Sequence, residues 1–292
     1  MVEPNHYPAM AGEVLSHLDV KEEGIYVDAT VGLGGHSELI LERLGPVGRL
    51  ICIDRDERAL EIARRRLDDK RCEFIHSRFS EMADVLAAYG GVDGVLLDFG
   101  VSMMQLKDKE RGFSFDSDEL LDMRMDRKDH MTAEDIVNTW REKELADAIY
   151  RFGEEGRSRK IAKAIVTRRS QGRIRTCREL ADTVLRAMGG RKGRTHPATR
   201  TFQALRIVVN DELGQIRAGL EAAVESLRQG GRLVAISYHS LEDREVKTFM
   251  REAGREGAVK VITRKPLAPS YEEARQHPSV RSAKLRCAEV TG

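Results

Sequence analysis

The first hundred residues alternate short apolar runs with longer amphipathic stretches. The apolar runs cover residues 25–28, 50–54, 73–76 and 94–98, and each has the length of a β-strand. Between them, segments such as 37–44 and 58–67 carry apolar residues at helical spacing. Repeated strand–helix–strand units form parallel sheets, and right-handed crossovers place helices on both faces. The pattern therefore predicts an α/β fold with a doubly wound sheet.

This alternation stops after Asp98 and resumes with a glycine-started apolar run at 230–237, which follows a helical segment at 211–227. The intervening stretch is charged, and its apolar residues stand at helical spacing. We therefore predict an inserted helical domain at 107–199, within a core made of residues 1–106 and 200–292. Two β-prone stretches near the end, 258–263 and 283–290, predict an antiparallel C-terminal hairpin at the sheet edge.

The positive charge of the chain is concentrated in one window. Residues 151–206 contain sixteen Lys and Arg but only four acidic residues, so the window carries +12; since the whole chain carries +1, the remainder carries −11. Such polarisation is typical of a nucleic-acid binder, although a solvated helical surface is the alternative. The candidate phosphate ligands are Arg157, Arg159, Lys160, Arg200 and Arg206.

Several classes of protein are disfavoured by the composition. No apolar run approaches the roughly 20 residues needed to span a bilayer, and the first residues lack the pattern of a signal peptide. We therefore expect a cytoplasmic protein with no membrane partner. The four cysteines are far apart, with no C-x-x-C pair and no histidine at ligand spacing, so we expect neither disulfides nor a metal site.

A glycine turn follows the first predicted strand, at Gly32-Leu33-Gly34-Gly35-His36, and the second strand ends in Asp54. Glycines permit a tight turn and close approach of the backbone to a ligand, and an acid at the second strand end can accept hydrogen bonds from ribose hydroxyls. This pattern predicts a nucleoside pocket. Ser37 stands where a dinucleotide site has its third glycine, and Asp28 suits an ammonium better than a pyrophosphate. Both features favour S-adenosylmethionine over a nicotinamide cofactor.

The fourth and fifth predicted strands bring further polar residues to the same edge of the sheet. Asp98 ends the fourth strand, where its carboxylate can hold the N–H groups of an exocyclic base amine during methyl transfer without a metal. Alternatively, Asp98 contacts only the cofactor or caps the next turn. His239 is a candidate for substrate positioning, and Ser240 or Asp243 is expected to cap the helix that begins near Leu241. His36 has a comparable alternative role as a cap of the helix after the glycine turn.

Six blocks of the sequence together resemble the RsmH (MraW) family. They are DATVGLGGHS at 28–37, RGFSF at 111–115, LDMRMD at 121–126, HPATRTFQALR at 196–206, HSLEDR at 239–244 and RSAKLR at 281–286. The resemblance extends from about His6 to Arg286. It implies a Rossmann-like class I methyltransferase core interrupted by a helical domain. It also implies methylation of the N4 amine of a cytidine in the decoding centre of bacterial 16S ribosomal RNA, with S-adenosylmethionine as donor.

The resemblance also implies roles for individual residues. Those expected at the cofactor are Gly34, Gly35 and His36 at its methionine end, Asp54 at its ribose, and Phe79, Asp98 and Gln105 on its adenine side or between cofactor and base. Phe79 follows the third strand and is equally suited to core packing. The basic insertion would clamp RNA phosphates over the cofactor pocket, with strongly salt-dependent affinity.

Three competing functions make different demands on the same residues. A DNA amino-methyltransferase would share the chemistry of Asp98 but normally carries prolines after this acid, where this chain has Phe99 and Gly100. An RNA-binding assembly factor with a vestigial pocket would lack Asp54 or the glycines, and both are present. A nicotinamide oxidoreductase is disfavoured at Ser37. The ribosomal RNA methyltransferase therefore agrees best with the sequence.

Overall fold

The computed structural model describes residues 7–100, 111–115, 118–190 and 196–292. Their packing divides the chain into two compact units, one within residues 1–100 and 213–292 and the other within 101–212. The second unit therefore extends beyond the predicted boundary at residue 199. The reason is that the following helix, Thr199–Val209, buries Phe202 and Leu205 in the core of the helical unit.

Seven strands form one mixed sheet in the first unit. They are β1 Ile25–Asp28, β2 Arg49–Asp54, β3 Cys72–His76, β4 Val92–Asp98, β5 Leu227–Ser237, β6 Val259–Val261 and β7 Lys284–Val290, in the order β3-β2-β1-β4-β5-β7-β6. Strands β1 to β5 are parallel, whereas β7 runs antiparallel to both β5 and β6. The predicted parallel sheet and antiparallel hairpin are confirmed, and β6 forms the outer edge.

The helices follow the predicted pattern in both units. They are α1 Ala11–Leu18, α2 Gly35–Leu41, α3 Glu57–Leu67, α4 Met82–Leu86, α5 Ala133–Thr139, α6 Glu142–Gly153, α7 Ser158–Arg169, α8 Cys177–Met188, α9 Thr199–Val209, α10 Glu212–Ser226, α11 Ser240–Arg255 and α12 Tyr271–Gln276. In the part of the chain that the structure describes, none of the helices combines the length and the apolar character that crossing a bilayer requires.

Alternate residues of the strands are buried on opposite faces of the sheet, as a strand period of two requires. One face packs against α4, α10 and α11, and the other against α1, α2 and α3. Representative residues are Val27, Ile51 and Val95 on the first face and Tyr26, Leu50 and Leu96 on the second. Because both faces are covered, the sheet is doubly wound and holds its strand ends in fixed positions.

The helical unit has a separate core, to which α5 to α9 contribute Ile136, Leu145, Ile161, Leu180 and Phe202. The buried side chain of Asn210 lies directly after α9 and forms hydrogen bonds with a distant segment of this unit. Its side chain accepts a hydrogen bond from the Met125 amide over 2.8 Å and donates to the Met123 carbonyl over 2.8 Å. The block at 121–126 is therefore tied to the end of α9.

Candidate active site

Three aspartates end neighbouring parallel strands at one edge of the sheet. Asp28 ends β1, Asp54 ends β2 and Asp98 ends β4. The β2-β1-β4 order places β1 between the other two, and Asp28 is in register with Cys52 and Leu96. Carboxyl ends of parallel strands are the usual ligand-binding edge of a doubly wound sheet. The edge predicted from the sequence is therefore assembled from these strand ends.

The glycine turn is held against the end of β2. Gly32 and Gly34 have φ angles of +52° and +81°, a region that glycine occupies without the penalty of a Cβ atom. The Gly32 amide donates to Asp54 Oδ2 over 2.9 Å, and the Asp56 amide donates to Asp54 Oδ1 over 2.8 Å. Helix α2 begins directly after the turn at Gly35. Asp54 thus holds the backbone of the turn at Gly32, just before the helix begins.

Asp54 retains capacity for a ligand. Burial raises the pKa of its carboxyl to about 6, although the two backbone amides stabilise the charged form. Each carboxylate oxygen offers two acceptor sites and uses one for a backbone amide, so one remains on each oxygen. Asp54 can therefore bind a pair of hydroxyls while it holds the turn.

Asp28 is buried beneath the same turn and forms hydrogen bonds with it. Its side chain is buried, and it accepts hydrogen bonds from the Ser37 hydroxyl over 2.7 Å and from the Thr30 amide over 3.3 Å. Burial raises its pKa. Ser37, which stands in place of a third glycine, thus has its own function as a donor to Asp28. Both oxygens of Asp28 thus accept a hydrogen bond within the turn, and its contact with a ligand ammonium stays a prediction.

His36 lies on α2 and links the turn to the end of β4. Its ring is buried, with Nε2 2.9 Å from the Ala9 carbonyl oxygen and Nδ1 3.6 Å from Asp98 Oδ2. The cap residue of α2 is Gly34, and no side chain caps the helix. The alternative role of His36 as a helix cap is therefore wrong, because both ring nitrogens face other groups.

Asp98 is held through its backbone and has one free oxygen. Its amide donates to the Thr30 hydroxyl oxygen over 2.7 Å. Its Oδ1 is buried and has no hydrogen-bond partner within the described residues. Burial raises the pKa of this carboxyl to about 6, while His36 and the Tyr238 hydroxyl favour the ionised form. An unpaired buried acceptor is costly, so it marks a place where a ligand donor would bind favourably.

Two residues near Asp98 were missed by the sequence reasoning. Thr30 accepts from the Asp98 backbone, and the Tyr238 hydroxyl favours the ionised form of the Asp98 carboxylate and so lowers its pKa. Tyr238 directly follows β5, the strand that pairs with β4, and Ile236 is in register with Asp98. Its position immediately after a neighbouring strand is the signal that could have found it.

His239 caps the helix α11. Its Nδ1 accepts from the Glu242 amide over 3.3 Å, and the buried Glu242 carboxylate accepts from the Tyr238 amide over 2.7 Å. His239 Nε2 lies 3.1 Å from Glu242 Oε1, outside hydrogen-bonding geometry. The expected caps Ser240 and Asp243 are therefore wrong, since the helix begins at Ser240 with His239 as its cap. Asp243 pairs with the basic end of β7 instead.

Phe79 packs against the core side of the sheet. Its ring centroid is 5.7 Å from that of Phe99, and its edge lies so close to Gly219 on α10 that a Cβ there would clash. These contacts agree with the core-packing alternative, and part of the ring remains exposed. The remaining expected cofactor residue, Gln105, lies outside the described residues.

The expected phosphate ligands fall into two groups. Arg157, Arg159 and Lys160 are exposed at the start of α7. Arg200 is exposed but donates to the Glu154 carbonyl over 3.0 Å. Arg206 makes a two-pronged ion pair with the buried Glu212, at 2.7 and 2.9 Å. This pairing argues against Arg206 as a phosphate ligand, because its guanidinium already satisfies a buried carboxylate.

Comparison with known proteins identifies the family. The family described as "MraW methylase family" matches residues 3–291. "Ribosomal RNA small subunit methyltransferase H" of Acidobacterium capsulatum is 50% identical over 99% of each chain, and that of Caldicellulosiruptor bescii is 45% identical over 97% of this chain and 98% of its own. A solved rRNA methylase from Streptococcus thermophilus is 12% identical, with a TM-score of 0.45 over 97% of this chain and 95% of its own. The near-complete match to the family and its relatives establishes that this chain belongs to the MraW methylase family.

Proposed function

We propose that this protein transfers the methyl group of S-adenosylmethionine to the N4 amine of a cytidine in the decoding centre of bacterial 16S ribosomal RNA. The small-subunit names of the relatives support the RNA substrate. The observation that carries the chemistry is the buried Oδ1 of Asp98 at the carboxyl edge of the sheet, which has no hydrogen-bond partner among the described residues. A small-subunit substrate also implies action in the cytoplasm.

The residues around the glycine turn fit the methyl donor. Asp54 would bind the two ribose hydroxyls with its remaining acceptor sites, and the backbone at Gly34 and Gly35 would contact the methionine end. Phe79 and Gln105 would lie on the adenine side, as the resemblance implies. When bound, the donor supplies a methyl group made electrophilic by its sulfonium.

Asp98 would orient the acceptor amine. The lone pair of an exocyclic amine is delocalised into the base, and accepting its N–H at Oδ1 favours the pyramidal nitrogen that attacks. The new N–C bond forms as the methyl–sulfur bond breaks, and the nitrogen then loses one proton to the Asp98 carboxylate. His239, next to Tyr238 at the end of β5, would position the base.

The exposed face of α7 supports RNA binding by the helical unit. Arg159, Lys160 and Lys163 are exposed on this helix, whereas Ile161 and Ile165 on its other side are buried. Within the described residues, none of these three cations takes part in an ion pair. Other arginines of the basic window serve the fold, such as Arg168 with Glu179 and Arg173 with Glu134. The cations of α7 therefore remain available to neutralise phosphates.

A transfer assay tests the proposal directly. Small ribosomal subunits that lack base methylation are incubated with the protein and labelled S-adenosylmethionine, and the modified nucleotide is mapped. We expect label on the N4 amine of one cytidine in the 16S RNA. Label confined to ribosomal protein, to a different base position or to added DNA would overturn the proposal.

A further inference from the structure

The ring of His36 is held at both nitrogens by separate parts of the first unit. Nε2 is 2.9 Å from the Ala9 carbonyl oxygen, and Nδ1 is 3.6 Å from Asp98 Oδ2. Ala9 is itself fixed, because it is buried and the next amide, Met10 N, donates to Glu273 Oε1 on α12 over 2.8 Å. The ring therefore has little freedom to turn away from Asp98.

This geometry determines which nitrogen carries a proton. A carbonyl oxygen only accepts hydrogen bonds, so the contact with Ala9 requires a proton on Nε2. A bare Nδ1 would then point its lone pair at the Asp98 carboxylate across 3.6 Å. A proton on Nδ1 replaces that repulsion by attraction between an imidazolium and a carboxylate, and burial strengthens the attraction.

The groups around this pair are predominantly acidic. Asp28 on β1 interacts with His36, and Glu242 on α11 raises the pKa of Asp98. The Tyr238 hydroxyl favours the ionised form of Asp98. Glu273 on α12 accepts a hydrogen bond from the Met10 amide. Several buried carboxyls at one strand edge need a compensating positive charge to remain ionised together.

We propose that the His36 imidazolium is a positioning residue, which acts through Asp98 by keeping its carboxylate ionised and oriented as the acceptor for the substrate amine. The proposal rests on the methyl transfer proposed above. It gives the His36 side chain a function separate from any backbone contact with the donor. Removal of the charge is expected to make Asp98 protonate at higher pH, which blocks both the orientation of the amine and the uptake of its proton.

The substitution His36→Gln separates the charge from the packing. The glutamine Nε2 can still donate to Ala9, but the side chain cannot become cationic. We expect the acid limb of the kcat–pH profile to move up by about one pH unit, which corresponds to a loss of roughly fivefold near pH 6 and almost none near pH 8.5. His17→Gln on α1, where Nδ1 faces the Glu13 carbonyl, is the matched control and should leave the profile unchanged.

Carboxyl NMR of the protein without donor gives a readout that does not depend on activity. The Asp98 signal, assigned with Asp98→Asn, should titrate at higher pH in His36→Gln than in the wild type. A fall in kcat that is equal at all pH values, with an unchanged Asp98 titration, would show a merely structural role and overturn the proposal. If no substrate is methylated, the Asp98 titration still decides the proposal about His36.

Discussion

The backbone amide of Gly32 donates a hydrogen bond to Asp54 Oδ2 over 2.9 Å and so ties the glycine turn to the end of β2. One carboxylate therefore shapes the turn and keeps acceptor sites that, in the proposed function, bind the ribose of the donor. Loss of this side chain should affect the bound donor directly and through the backbone that surrounds it. The other strand-end acid, Asp98, contacts neither Gly32 nor Gly34 in the hydrogen bonds described, so the two acids should separate in experiment.

We expect Asp54→Ala to weaken S-adenosylmethionine binding by about 10- to 100-fold, because ribose contacts and the anchor of the turn are both lost. Isothermal titration calorimetry measures this affinity. Glu61→Ala removes an exposed carboxylate from α3 and should leave the affinity unchanged. An Asp54 variant with wild-type affinity would show that the ribose is held elsewhere.

Asp98→Asn should lower turnover by roughly 100- to 1000-fold while donor affinity changes less than about threefold, because an amide can orient the amine but cannot take up its proton. Single-turnover methylation of unmethylated small subunits measures the chemical step, and calorimetry measures donor binding. Equal losses in both quantities would mean that Asp98 acts mainly on the donor.

The same substitution should stabilise the folded protein at neutral pH. Burial raises the pKa of Asp98 to about 6, so the wild type loses stability as pH rises from about 4 through 6. Asp98→Asn should therefore gain roughly 1 to 3 kcal/mol in the free energy of unfolding at pH 8 and little near pH 4. Urea unfolding at the two pH values measures the difference.

A carboxyl with the opposite shift provides the control for this effect. Hydrogen bonds from Arg71 lower the pKa of Asp69 to about 2, so ionised Asp69 contributes stability that is lost as pH falls from about 4 through 2. Asp69→Asn should thus destabilise the protein at pH 8. Stabilisation by both substitutions, or by neither, would contradict the assignment of burial as the cause at Asp98.

Replacement of Arg159, Lys160 and Lys163 by alanine should weaken RNA binding without affecting the fold, because these exposed cations of α7 make no ion pair within the described residues. Each lost phosphate contact is expected to reduce the slope of log affinity against log salt by about 0.7 to 0.9. Binding of substrate RNA between 50 and 200 mM salt measures the slope. A triple variant with the wild-type slope would place the RNA on another surface.

Arg206→Ala should act through stability rather than through RNA. Removal of the guanidinium leaves Glu212 buried without its partner, which should cost roughly 3 kcal/mol in the free energy of unfolding. Thermal and urea unfolding measure this cost, and the salt slope of RNA binding by the folded fraction should stay unchanged. A stable Arg206 variant with a smaller salt slope would restore this residue as a phosphate ligand.

Local patterns in the sequence determined the strands, most helices and the three acids at the strand ends. Apolar periodicity reflects which side of an element is buried, so strands β1 to β5 lie within a few residues of their predicted positions. The glycine turn and Asp54 followed from the same pattern, since strand ends share one edge of a parallel sheet. The family resemblance added the nature of the reaction, which periodicity alone does not contain.

Only the tertiary structure decided how these residues are paired. His36 meets Ala9 and Asp98, Arg206 meets Glu212, and the cap of α11 is His239 rather than Ser240. The helical unit also ends later in the chain than predicted, because Phe202 of α9 packs in the core of that unit. Burial can be inferred from local spacing, but the partner of a polar side chain depends on which distant segments are folded against it. The charge balance around Asp98 arises from such contacts, so it became visible only in the folded chain.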